Sequence, residues 1–221
     1  ILWDGGNNDL PFYEPDLMIT IVDPHRPGHE LKYHPGEANV RLADVVIVNK
    51  VDTAPRENID TVIDNVRSVN PLAQIIECRS PIAATDLSVL EDKRVLVVED
   101  GPTLTHGGMS YGAGFLAAKA AGGNIVDPRN VAVGSIVDTY NKYPHMGPIL
   151  PAMGYSPKQC SELAATISKC DAEVVVIGTP IDLQRVIEIS KPTVGVTYEL
   201  ADDSGSLEQV LRDFVSRLGE R

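Results

Sequence analysis

"ADVVIVNKVD", residues 43–52, decides the fold. Its apolar run at 45–48 is unbroken, as in a strand covered on both faces of a parallel sheet. The run leads directly to Asn49, Lys50 and Asp52, and ligands of parallel α/β sheets bind at the carboxyl ends of the strands. The N-K-x-D spacing has a chemical logic for guanine. A carboxylate at Asp52 can accept hydrogen bonds from the ring N1–H and the 2-amino group together, whereas adenine offers neither donor in that arrangement. The Lys50 stem can lie along the base plane. Asn49 can bond the base edge and brace the neighbouring loop. A polar loop with solvated charges is the plain alternative.

Working outward, "LMITIV" at 17–22 is a second continuous apolar run, and "PGEANVRLAD" at 35–44 is long enough for a compact helix between the two strands. Thr53 is placed to cap the next helix, with Pro55 in its first turn and Ile59, Val62, Ile63, Val66 and Val69 on one face. Asn70-Pro71 stops it, and "AQIIEC" at 73–78 starts another strand. The second half repeats the rhythm. Strands are expected in "RVLVVED" (94–100), "NIVDP" (124–128), "EVVVIGTP" (173–180) and "PTVGVTYEL" (192–200). Helices are expected in "GFLAAKAAG" (114–122), "GSIVDTYNKYP" (134–144), residues 157–169, and "PIDLQRVIEIS" (180–190) started by Thr179 and Pro180. A closing helix carries Leu207, Val210, Leu211, Phe214, Val215 and Leu218 at helical spacing. "HMGPILPAMGYSP" (145–157) is punctuated by Pro and Gly and is expected to lie over a surface cleft. The pattern predicts an α/β fold, a mostly parallel sheet flanked by helices. Residues 1–91 form its nucleotide-type core; residues 92–221 form an α/β substrate portion, separate from or continuous with the same sheet.

The balance of 31 acidic against 19 basic side chains, a net charge of −12, disfavours nucleic acid or an anionic membrane as partner. A small phosphorylated ligand needs only two or three local donors and stays open. Three cysteines without spaced pairs point to reduced thiols and a cytoplasmic setting. Cys160 shares a helical stripe with Leu163, Ala164 and Ile167, as a packed thiol would. No apolar run approaches the roughly 20 residues of a membrane span. Homo-oligomer formation is admitted.

Chemistry-bearing residues gather at the expected strand ends. "ILWDGGNND" at 1–9 reads as a strand end entering a Gly-rich turn. There Asp4 is placed to hold Mg²⁺, Gly5 and Gly6 to let the backbone approach a terminal phosphate, and Asn8 to orient a water or substrate. A Gly-Asn turn after any strand is the alternative. In "RSP" (79–81), Ser80 can offer a backbone N–H to the base carbonyl, or be an ordinary loop residue. "VDPHRPGHELKYHPGE" (22–37) places Asp23, His25, Arg26, His29 and His34 after a strand. Three readings stand for it: a switch-like loop whose His25 and Arg26 approach phosphates, a transition-metal site, or a surface loop. In "VEDGPTLTHGGMSYGAG" (98–114), Thr103, Thr105, His106, Gly107 and Gly108 lead toward a helix N-terminus, a ready anion site, with a structural turn as the alternative. "KYPHMGPILPAMGY" (142–155) offers His145 to the same cleft.

With these stretches in hand, the chain resembles a family of predicted P-loop GTPases that includes proteins named cyclic 2,3-diphosphoglycerate synthetase. "WDGGNND", "VDPHRPGHE", "ADVVIVNKVDTA", "VLVVEDGPTLTHGGM", "YGAG", "KYPHMGPILPAMGY" and "VVVIGTPIDL" carry the resemblance. It implies Mg²⁺ and GTP or ATP as co-substrate. It also implies phosphoryl transfer to a small phosphorylated metabolite, 2,3-diphosphoglycerate, closing an intramolecular phosphoanhydride. Arg26 and His106 would then stabilise charge on the acceptor. No Lys here follows a Gly, so the G-x-x-x-x-G-K-[ST] loop such an enzyme needs is expected upstream of Ile1, together with a further N-terminal domain. A GTP switch or metallochaperone-type GTPase, with His25, His29 and His34 holding cargo, is the rival reading. A binding module without turnover is the other.

Overall fold

The computed structural model describes residues 1–6, 9–105 and 108–219. It is an α/β protein built as two compact units, residues 1–81 with 199–221 and residues 82–198. The boundary falls ten residues before the one expected, and the C-terminal helix returns to the first unit. The reason is that its apolar residues complete the first unit's core.

The first unit holds a parallel sheet of β1 (Ile19–Val22), β2 (Val45–Val48) and β3 (Gln74–Glu77), in that order. Residues pair squarely, Val22 with Val48 and Val48 with Glu77, so all three carboxyl ends finish at one edge. On one face α1 (Gly36–Leu42) and α2 (Arg56–Val69) bring Val40, Ile59, Val62 and Val66 against Val22, Val46 and Val48. On the other, α7 (Ser206–Gly219) sets Leu207 and Val210 against Val45, Ile47, Ile76 and Cys78. Strand alternation makes this two-sided packing possible.

Three expectations are corrected in this unit. β1 is not covered on both faces, because it is an edge strand of its sheet, and Ile19 and Ile21 are exposed. The stripe on α7 is only partly used, with Leu211, Val215 and Leu218 exposed. Thr53 does not cap α2, which starts at Arg56 after Pro55 with no side-chain cap. A left-handed turn at Lys50, φ 61°, draws residue 53 into the preceding loop instead.

The second unit is a six-stranded sheet, with β4 (Ile82–Ala84) antiparallel to β9 (Thr193–Tyr198), then β8 (Val174–Gly178) and β5 (Arg94–Asp100). β6 (Asn124–Ile125) and β7 (Leu150–Ala152) share the remaining edge of β5, at its start and its end respectively. Val95, Val97, Val174 and Val176 face α4 (Ala113–Ala120) and Leu104 of α3 (Gly101–Thr105). Leu96, Val98, Val175 and Ile177 pack with α5 (Ser135–Lys142) and α6 (Pro157–Lys169). Cys160 lies against this second core, as its stripe required.

Two further corrections arise here. Part of "HMGPILPAMGYSP" is β7, fully buried rather than a cover over a cleft. Its Pro151 is tolerated because the strand lies at the sheet's margin. "PIDLQRVIEIS" forms only a single 3-10 turn, Leu183–Arg185, capped by Asp182. Leu183 and Ile187 alone in that stretch are buried, too little apolar surface to hold a longer helix. In contrast, α6 opens with a full capping box, the Ser156 side chain accepting from the Gln159 N–H. The S-P-K-Q order was a start signal of the recognised kind.

Asn70 is the polar hinge of the first core. Its buried side-chain amide donates to the Val40 and Ala43 carbonyls and accepts from the Ala73 N–H. Asn70→Ala strands three buried backbone groups. It is expected to destabilise the first unit by about 2–4 kcal/mol, read as a lowered urea midpoint by far-ultraviolet circular dichroism.

Candidate functional site

In the first unit the candidates at the ends of β1, β2 and β3 form a bonded cluster. The Ser80 backbone N–H donates to the Asp52 carboxylate at 3.0 Å. Ser80 is buried while Asp52 is exposed, so the carboxylate's remaining lone pairs face outward. The Ser80 loop is held from behind by the C-terminal segment: Arg79 and Ala201 form a reciprocal backbone bridge, and the Arg79 guanidinium grips Asp203. Asn49 is tied by its N–H to the Val22 carbonyl, yet its buried side-chain oxygen has no hydrogen-bond partner among the described residues. A buried acceptor left so costs on the order of 1–3 kcal/mol. It fits a site that awaits a donor.

Asp23, which the sequence offered only as part of a metal cluster with the nearby histidines, is the hub of the neighbouring loops. Its carboxylate accepts from Lys50 Nζ at 2.7 Å, from the His25 N–H at 3.0 Å and from Arg26 at 3.2 Å. Burial pushes its pKa up, but the Lys50 charge and hydrogen bond outweigh that, helped by His25 and Arg26, and hold it below the usual carboxylate range. His25 Nε2 meets the Thr53 hydroxyl at 2.9 Å. Gly28, φ 89°, gives its N–H to the buried Glu30 carboxylate, which also takes the Asn65 amide. The 22–35 loop is therefore closed upon its own carboxylates. Among the described residues no group of three His, Cys, Asp or Glu could hold a metal ion, and His29 faces Tyr33 ring to edge. The signal for Asp23 was present: an acid at a strand tip followed by Pro, one strand away from the Lys.

The opening segment differs from expectation. Residues 1–6 have no regular structure and are exposed, so the strand end expected at 1–3 is not formed. Asp4 and Gly5 are on the surface, and Gly6 closes a turn with Asp9, N–H to carboxylate at 3.1 Å. The Asp9 carbonyl accepts from the Asn39 side chain. Asn8, His106 and Gly107 lie outside the described residues.

In the second unit Thr103 and Thr105 lie within a short helix of their own, α3, ahead of α4. Thr103 donates through both N–H and hydroxyl to the Asp100 carboxylate, and the buried Thr105 hydroxyl turns back on the Gly101 carbonyl. His145 Nε2 bonds the Leu104 carbonyl at 2.9 Å, bracing the same helix. Gly108 is left-handed, φ 66°. The helix N-terminus expected to receive an anion is met by the chain's own: Glu99 accepts from the Gly112 and Phe115 N–H groups at the start of α4. A β-carbon at Gly112 or Gly178 would run into that carboxylate, which is why both are glycine. Alternation puts Glu99 on the face of Val95 and Val97, the one signal that could have marked it as buried.

Burial pushes the Glu99 carboxyl up to about 7, against the pull of the backbone donors at Phe115, Gly112 and Gly114. The folded chain thus keeps a proton that the unfolded chain releases. Stability falls as pH climbs from about 4.5 through about 7. The total is on the order of 3 kcal/mol. Glu99→Gln is expected to remove this decline, read as melting temperatures of both proteins from pH 4.5 to 8 that diverge with rising pH.

Residues 8–77 match the family model described as "CobW/HypB/UreG, nucleotide-binding domain". The chain is 59% identical over 216 residues to arginine synthetase ArcE of Thermococcus kodakarensis, covering 97% of this chain and 48% of that protein. It is 28% identical over 75 residues to a cyclic 2,3-diphosphoglycerate synthetase of Methanosphaera stadtmanae, 33% of this chain and 16% of that protein. The chain spans at most about half the length of these curated relatives. No helix among the described residues is long and apolar enough to cross a membrane. The matched segment holds β1 to β3 with Asp23, Asn49, Lys50 and Asp52, while Ser80 lies just beyond it, and what the chain resembles there is the nucleotide-binding domain of CobW, HypB and UreG.

Proposed function

We propose that this chain carries the base site and the acceptor-bearing unit of a nucleoside-triphosphate-driven synthetase with a preference for guanine. One observation carries the base reading: the Asp52 carboxylate and the Ser80 N–H, acceptor beside donor, are bonded to each other. Guanine presents the complement along one edge, a carbonyl acceptor beside an N1–H donor. It can replace that single bond with two, and its 2-amino group adds a third toward Asp52. Adenine presents a ring acceptor and an amino donor in the reverse order, so it leaves both protein groups mismatched. The buried acceptor on Asn49 is a further group that a ligand donor would satisfy.

Asp4 is the carboxylate that would hold Mg²⁺, with Gly5 and Gly6 letting the backbone approach the phosphates. Such an ion neutralises charge on a triphosphate during transfer. Arg26, His25 and His106 would supply cationic or hydrogen-bonding stabilisation, and Asn8 would orient the attacking group.

The acceptor unit is residues 82–198, with the Thr103 to Gly108 loop and His145 as its seat. The relative similar over nearly the whole chain is named for arginine, and the β5 tip supports that class. Asp100 ends that strand with Thr103 as its bonded partner, and a carboxylate there disfavours a bisphosphate and favours an amino or guanidino compound. Closure of 2,3-diphosphoglycerate is the second reading, favoured by the shorter match to a synthetase of that name.

Equilibrium binding of GTP, ITP and ATP to the protein as its gene encodes it tests the base reading. GTP is expected to bind about 10–100-fold more tightly than ATP, the worth of one or two hydrogen bonds to a charged group. ITP, lacking the 2-amino group, should fall between, and Asp52→Ala should bring GTP to the ATP level. Equal binding of GTP and ATP, with Asp52→Ala silent, rejects it. Equilibrium dialysis against arginine, the product a synthetase of that name releases, and against 2,3-diphosphoglycerate separates the two readings, and retention of neither rejects both.

A further inference from the structure

The N-K-x-D turn places an ammonium, Lys50, two residues from the carboxylate on which base recognition rests. Left to itself, a lysine so near an exposed aspartate is free to pair with it and occupy the lone pairs a base needs. In this structure it does not. Lys50 Nζ lies 2.7 Å from Asp23, which is 15% exposed, and the lysine stem runs from a left-handed residue whose carbonyl is fixed by the Thr53 and Ala54 N–H groups. Asp52 is bonded instead to the neutral Ser80 N–H.

Resting on the guanine reading above, we propose that Asp23 is a positioning residue of the base site, a counter-ion that holds the Lys50 ammonium away from Asp52. Asp23 touches no base. It acts through Lys50, and it is built for that task. Its carboxylate is fixed at the tip of β1 by the His25 N–H and by Arg26. β1 lies beside β2 in a register that ends Val22 opposite Val48, which brings residue 23 level with the start of the turn. A second tie, His25 to Thr53, joins the same two loops and keeps the separation between Asp23 and the turn constant. The aliphatic stem of Lys50 is thereby stretched toward β1, while Asp52 faces Ser80 on the β3 side. Charge is sorted between two carboxylates: one takes the cation, and the other keeps its acceptors for N–H donors.

The discriminating quantity is the ratio of GTP to ATP affinity, which a purely structural role would leave alone while both affinities fell together. In the protein as its gene encodes it, Asp23→Asn frees the ammonium. It is expected to weaken GTP about tenfold, one charge-assisted hydrogen bond, with ATP unchanged. Adding Lys50→Met, which keeps the stem and removes the ammonium, is expected to restore the ratio in the Asp23→Asn background. An unchanged ratio in Asp23→Asn, or no recovery in the double variant, overturns the proposal. If Asp23→Asn does not fold, Lys50→Met alone decides: the GTP preference should persist, and its loss overturns the idea. A wild-type protein indifferent to GTP and ATP overturns the base reading, and this inference with it. Preference in the wild type that survives Asp23→Asn overturns this inference alone.

Discussion

The bond from the Ser80 amide to the Asp52 carboxylate depends on most of the first unit being in place. It joins the loop after β2 to the loop after β3, so it exists only while those strands run parallel and in register. That register is held by side chains on both faces of the sheet. Val46 and Val48 are sealed by α2, and Val45 and Ile47 meet α7. Helix α7 comes from the far end of the chain, and the bridge of Arg79 to Ala201 with the Arg79–Asp203 pair means that residues past 199 back the loop that carries Ser80. The N-K-x-D turn is therefore supported by chain roughly 150 residues away, because parallel strands end level only when both faces are packed.

Charge in this region is distributed by burial. Asp23, partly withdrawn from solvent, keeps its ionised form because Lys50 and Arg26 stand against it. Asp52 sits exposed and takes the Ser80 amide, while Lys50 pairs with Asp23. In the second unit the same physics runs the other way. Glu99 is 2% exposed and meets only neutral amides, so burial dominates and its carboxyl is raised. Gly112, Gly114 and Gly178 crowd round that carboxyl, and the space a ligand anion would take at the start of α4 is filled by the protein's own acid. This arrangement leaves the N–H groups of Gly112 and Phe115 committed to the protein's own carboxyl.

The strands and most helices were legible because their signals are local. "VVIV", "RVLVVED" and "VVVIG" are apolar runs, and α2 and α6 show one-sided apolar spacing. The parts that misled were those in which burial depends on distant chain. β7 reads as a Pro/Gly loop because Pro151 and its neighbours have no strand pattern, and it becomes a strand only by pairing with the end of β5. Residues 180–190 read as a helix from Thr179, Pro180 and an apolar spacing, but Asp182 closes a single turn there. Of the candidate residues, Asn49, Lys50, Asp52 and Ser80 could be singled out in the sequence because strand ends are where ligands of such sheets bind. Asp23 and Glu99 also stood out as acids at strand tips, but what each meets did not, since an acid's worth depends on which cation or amide lies against it.

By itself the sequence determined the alternation of strands and helices, the N-K-x-D turn on a buried strand, and the net acidic charge, because each rests on residues adjacent in the chain or on composition alone. Only the tertiary structure decided that Ser80 meets Asp52, that Lys50 leans on Asp23, and that Glu99 fills the start of α4. Those pairings join residues separated by 13 to 28 positions or more, and neither propensity nor periodicity reaches that far. The physical reason is that side-chain partners are chosen by strand register and packing.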